Sequence, residues 1–191
     1  MKYNLAWLKQ QYEGGARPGF LFFADIRAGS KETTNLTILT QWFRSPFLVD
    51  NELYHHAAHW MMVQKARLFN DPVAAVELLK MSDNKKIHER GKQISGFDQK
   101  HWEDHRYNIV MRGNLHKFTQ HPALRAYLSG TYPLVLAEAN PDDKVWGIGL
   151  SEDAPGASDP HLWNGHNLLG FALMEVRDVL CGTAEETSSA I

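Results

Sequence analysis

Residues 54–69 read Tyr54-His-His-Ala-Ala-His-Trp-Met-Met-Val-Gln-Lys-Ala-Arg-Leu-Phe69, a stretch with neither proline nor glycine. That composition predicts a helix beginning near His56. Ala58, Met61 or Met62, and Lys65 are spaced three, four and seven apart, so they share one face, while Ala66 and Phe69 line a neighbouring stripe. Asn70-Asp-Pro72 stops the helix. Asp71 then reads as an N-cap with Pro72 at the first helical position of a second helix, running through about Met81 with Val73, Val76 and Leu79 as its apolar residues.

Working outward from this segment, Lys85, Lys86, Arg90 and Lys92 form a short basic helix, punctuated by Gly91 and Gly96, that reads as a solvated face. Asp98 caps a long helix toward Gln120 with Trp102, Ile109 and Val110 inward, and His121-Pro122 opens a short helix closed by Gly130. Leu134 to Ala139 reads as a strand, and the turn Asn140 to Asp143 delivers Trp146-Gly147-Ile-Gly149 to the surface. A long loop, Ser151 to Trp163, leads to a helix from about Asn167 to Leu180, ended by Gly182. Upstream, Phe20 to Phe23 is a short buried strand followed by a polar loop from Ala28 to Thr34. Pro46 keeps the segment Leu39 to Phe47 out of a central strand, and Asp50-Asn51 is a turn. The expected architecture is α+β: a mainly helical single domain over residues 1–182 with a few short strands, then a flexible tail over 183–191.

A chain of 191 residues, 43% of them hydrophobic, is long enough to bury a sizeable core in one domain. Its formal net charge of −2 removes the simplest argument for bulk attraction to nucleic acid. The one cysteine, Cys181, excludes an intramolecular disulfide. The start MKYNLAWLKQ has no long apolar stretch, and no run of about eighteen apolar residues occurs, so a cytoplasmic protein without membrane association is expected. The 10 histidines raise the question of a metal. His56 and His59, and His101 and His105, can share helix faces, but His101-Trp-Glu-Asp-His105 lacks the acid at its second position that a zincin motif needs. No third ligand is evident, so no metal is expected.

Several short motifs stand in a telling order. They are Thr40-Gln41-Trp42, Lys65-Ala-Arg-Leu-Phe69, Gly91-Lys-Gln-Ile with Phe97-Asp98, Trp102, Lys117-Phe118, Glu138, Asp143 with Trp146-Gly147-Ile-Gly149, and Trp163-Asn164-Gly-His-Asn167-Leu-Leu-Gly170. Jointly, over roughly residues 36–178, they resemble the NADAR family, also described as the YbiA-like fold. Four departures stand out: Ala58 where the family has a glutamate before His59-Trp60, Lys92 where arginine is usual, Ala137 for a valine-like residue, and a poor fit of Phe22 to Arg27. The resemblance implies a YbiA-like domain that cleaves N-glycosidic bonds without a cofactor. The implied partner is an ADP-ribosylated nucleobase or nucleic acid, guanine in DNA or RNA. Other members act on phosphorylated riboflavin-pathway intermediates, so a small ribosyl phosphate is the alternative.

Breaking an N-glycosidic bond builds positive charge on the anomeric carbon, which calls for a carboxylate to stabilise it or to activate water. Ala58 marks the position of the missing glutamate, a loss worth about a hundredfold to ten-thousandfold in rate. The chain is therefore expected to be an inactivated Glu-to-Ala form, whether altered deliberately or naturally re-tooled, with a non-catalytic ADP-ribose or NAD-binding module as the reading from another class. Lys65 is the second catalytic candidate, either a phosphate contact or an amine that attacks an opened sugar. Asp143 is the second carboxylate. Trp146, with Gly147 and Gly149, offers a flat face beside backbone that a ligand can approach, and its GxG lacks the third glycine of a dinucleotide fingerprint. Trp163, Asn164 and Asn167 precede a helix whose amides suit a phosphate, ordinary capping being the alternative. Gln41, Trp42, Trp60 and Trp102 complete the binding set that the resemblance implies.

Overall fold

The computed structural model describes residues 1–25 and 35–188, so the loop expected over 28–34 and the end of the tail lie outside the described residues. Along the chain run α1 (Leu5–Glu13), β1 (Phe20–Phe23), a 3-10 turn (Asn35–Leu39), β2 (Phe47–Val49), β3 (Glu52–Tyr54), α2 (Ala57–Leu68), α3 (Pro72–Leu79), α4 (Asn84–Lys92), α5 (Gln99–Gln120), α6 (Pro122–Gly130), β4 (Val135–Glu138) and α7 (Leu168–Ser188). Helix outweighs strand, as an α+β reading requires. Among the described residues no helix is long and apolar enough to cross a membrane. Contacts gather into two compact units: residues 1–40 with 122–191, and residues 41–121.

In the first unit β1 and β4 pair in parallel, in register from Phe20 with Val135 to Phe23 with Glu138. All four residues of β4 are buried, the usual fate of a parallel strand covered on both faces. α7 packs against β4 and α6. It places Leu169, Phe171, Ala172, Leu173, Val176 and Leu180 in the core. Gly182 sits inside α7 rather than ending it, and the helix reaches Ser188. α1 was not foreseen from the sequence; Asn4 caps it, its Oδ1 accepting from Trp7 N at 2.8 Å.

In the second unit β2 and β3 form an antiparallel hairpin. Its turn residues Asp50 and Asn51 both have positive φ, 51° and 65°, the left-handed backbone that a two-residue hairpin of the primed type needs and that Asp and Asn tolerate. α2 is buried on most of its circumference, from Ala57 to Val63 and again at Ala66, because α3, α4 and α5 all pack on it. Asp71, Asp83 and Asp98 cap α3, α4 and α5 through their side-chain oxygens. One apolar stripe differs from expectation: α3 buries Ala74, Ala75 and Leu78, leaving Val73 and Val76 63% and 51% exposed. Close approach to α2 selects the face with the small side chains over the one with larger apolar area.

Candidate functional site

In the second unit, the entry to α2 is built from its cap. His56 Nδ1 accepts from His59 N at 3.0 Å, which leaves Nε2 to donate to Asn84 Oδ1 at 2.9 Å. Burial, then the neighbouring His59, pushes the His56 imidazole down to about 4, so it is neutral near pH 7. Ala58, in the first turn, has no solvent-exposed surface, and its N–H donates to Gln41 O at 2.9 Å. Two side-chain atoms at this entry are buried without hydrogen-bond partners, Gln41 Oε1 and His55 Nδ1. Such groups are uncommon in folded proteins and costly unless something answers them. Trp42 leans on His56 and His88, with ring centroids 5.0 and 6.0 Å away.

Farther along α2, Lys65 lies seven residues beyond Ala58, about 10 Å along the axis. Its Nζ donates to Gly91 O at 3.1 Å and lies 4.4 Å from the Phe97 ring centroid and 5.6 Å from that of Trp102. Desolvation lowers its pKa from the usual lysine range. The fold thus brings Lys65 and Trp102 together, and Gln41 to Ala58. Trp60 is buried with its indole N–H donated to Ile109 O at 2.9 Å, so its polar end is taken by α5.

In the first unit, the residues after β4 form a tightly tied loop. Asp143 Oδ1 accepts from both Val145 N and Trp146 N at 2.8 Å, fixing the half-buried Trp146 beside it. A Cβ at Gly147 would lie 2.9 Å from the carbonyl oxygens of Asp143 and Glu138, and Gly149 has φ +70°. No other residue fits either position without strain. Opposite this loop, the N–H groups of Gly165, His166, Asn167, Leu168 and Leu169 donate to the carbonyls of Ile148, Lys144, Gly147, Val145 and Trp146. This corrects the phosphate expectation at the start of α7: Leu168 and Leu169 amides, the first of the helix, are already spent on backbone carbonyls.

Asn167 and Trp163 are likewise tied to the protein. The Asn167 amide bridges Glu138 N and Leu136 O, and the buried Trp163 donates its indole N–H to Ala157 O at 2.7 Å. Asn164 is exposed. Sequence reading named Glu138 as a motif member but gave it no role. It is 6% exposed, its Oε2 has no hydrogen-bond partner, and burial, then Asp143 and Asp25, pushes its carboxyl up to about 8. Only the fold reveals that burial, because a lone glutamate ending an apolar strand reads as its exposed end. No group of three His, Cys, Asp or Glu among the described residues is arranged to hold a metal ion.

The NADAR domain family model matches residues 29–181. N-glycosidase R617 of Acanthamoeba polyphaga mimivirus is 34% identical over 164 residues, covering 83% of this chain and 95% of that protein. N-glycosidase YbiA of Escherichia coli strain K12 is 30% identical over 135 residues, 71% of this chain and 76% of its own. The NMR structure of Escherichia coli YbiA has the same fold, with a TM-score of 0.68 at 24% identity, covering 88% of this chain and 89% of that one.

Proposed function

The chain belongs to the NADAR family, and on that premise we propose that it is an N-glycosidase that removes ADP-ribose from a modified nucleobase, guanine in DNA or RNA. The observation that carries the reading is the reach of the family match, residues 29–181, which contains every residue given a role above. In this reading Asp143 steadies the developing sugar cation and Trp146 stacks on base or ribose, while within the second unit burial disfavours the charge on the Lys65 amine. Position 58 offers no oxygen, so this form is impaired relative to one with glutamate there.

The test is release of free ADP-ribose from an oligonucleotide carrying ADP-ribosyl guanine, followed for this chain and for Ala58→Glu. Restoring the carboxylate is expected to raise the rate by about a hundredfold to ten-thousandfold. Preferential cleavage of a phosphorylated ribosylamino-pyrimidine would move the substrate to the small-metabolite class. The alanine at position 58 favours a second reading, a module that binds ADP-ribose without turnover. Calorimetric binding of ADP-ribose with no cleavage by either form would establish that one, and absence of both binding and cleavage would end both.

A further inference from the structure

Among the described residues Glu138 is the most buried acidic one, and no described Lys, Arg or His forms an ion pair with it. Buried carboxyls are normally paired or hydrogen-bonded; this one leaves Oε2 buried with no partner among the described residues. Its place is fixed by the backbone. Glu138 N donates to Asn167 Oδ1 at 3.0 Å, while Glu138 O accepts from Asn140 N at 3.0 Å and from Ile148 N at 2.9 Å. The residue therefore stands at the end of β4, clamped beneath the loop that presents Asp143, Trp146, Gly147 and Gly149. A side chain wanted only for packing there would be served better by an amide or a hydrocarbon.

We propose that Glu138 is a catalytic residue, the general acid that delivers a proton to the departing nucleobase. The inference rests on the N-glycosidase reading above and assigns the proton that reading leaves unplaced. Among the described residues the groups acting on Glu138 are Asp143 on the following turn and Asp25 after β1, both acidic, and Asn167, just before α7, meets the Glu138 N–H with a neutral amide. A buried carboxyl whose desolvation favours its protonated form is suited to donating a proton. The step balances as follows. The Glu138 proton moves to the base nitrogen as the C1′–N bond breaks, with its electron pair leaving on the base. Water then adds to the C1′ cation that Asp143 steadies, and its surplus proton returns to the Glu138 carboxylate. One water is consumed, and free base and free sugar leave. Both carboxyls belong to the first unit and neither depends on position 58, so the alanine chain keeps a measurable turnover.

The experiment compares base release from ADP-ribosyl guanine by the chain as it stands, by Glu138→Gln, and by Ala58→Glu with and without Glu138→Gln, from pH 5 to 9. Expected is a rate that falls above about pH 8 when Glu138 is present, and a loss of about a hundredfold or more with disappearance of that limb in Glu138→Gln. In parallel, ¹³C-carboxyl NMR, with Glu138 assigned by its absence in Glu138→Gln, follows its titration with and without ADP-ribose. A Glu138→Gln chain with unchanged near-ultraviolet dichroism, unchanged rate and unchanged profile overturns the proposal. If no form releases base, the N-glycosidase reading falls on its own. The NMR arm then decides the site: a Glu138 signal that titrates near 8 and shifts with ADP-ribose keeps it in contact with ligand, whereas an ordinary titration, or no response to ADP-ribose, removes it.

Discussion

Asn167 and Glu138 are joined by a single side chain: Asn167 Oδ1 accepts from Glu138 N at 3.0 Å, while its Nδ2 donates to Leu136 O at 2.8 Å. Asn167 is fully buried and has φ 52°. One amide thus fastens the start of α7 to the strand that carries the buried carboxyl.

Asn167→Ala strands a backbone donor and a backbone acceptor in the interior and places a β-carbon in the left-handed region. A loss of about 2–4 kcal/mol is expected in urea unfolding. Asn167→Gly, which relieves the backbone term, is expected to recover about 1 kcal/mol of it. Equal stability of the two variants would show that the backbone conformation contributes nothing.

Gly113→Ala tests the packing of α2 on α5. In an exposed helix this change gains about 1 kcal/mol. Here the new Cβ would lie 2.4 Å from Trp60 Cδ1, and that indole is held by its bond to Ile109 O. The clash is expected to win, with a net destabilisation of about 1–3 kcal/mol and a changed Trp fluorescence spectrum. A stabilised variant would mean that Trp60 moves freely.

His56 sets an acid limit on stability. Its folded pKa, about 4, lies below the unfolded value of 6.5, so the folded state binds fewer protons in that window. Stability from this group is fully present above pH 6.5 and is lost as pH falls toward 4, on the order of 3 kcal/mol in all. His56→Asn keeps a capping side chain and removes the titration. Its unfolding midpoint is expected to vary less between pH 7 and 4.5 than that of the parent chain; a parallel shift of both would place the acid sensitivity elsewhere.

Lys65 is expected to form a reducible adduct with the opened ring of the sugar that hydrolysis releases. Borohydride treatment during turnover should add the mass of a reduced sugar to the parent chain and none to Lys65→Met, which keeps an apolar stem between Phe97 and Trp102. An active enzyme that never accumulates an adduct would leave Lys65 as a cation held by Gly91 O and the two rings.

The starts of α3 and α5 were legible because their punctuation is local: Asp71 and Asp98 accept from the amide three residues on. The hairpin turn at Asp50-Asn51 belongs to the same kind of signal. α1 was missed because its few apolar residues give weak periodicity, and only Leu8 is buried. The exposed valines of α3 were misread for a different reason: one-dimensional spacing marks a stripe but not which stripe a neighbouring helix can approach.

The sequence alone determined the family, through an order of motifs that no single element could supply, and the resemblance to that family in turn singled out Ala58, Lys65 and Asp143. Tertiary structure decided what surrounds them. It spent the first amides of α7 on the carbonyls of the Trp146 loop, closed Ala58 off from solvent, and left Glu138 Oε2 buried with no hydrogen-bond partner among the described residues. Those outcomes depend on desolvation and on hydrogen bonds between residues far apart in the chain, and proton affinity follows from such surroundings rather than from residue type.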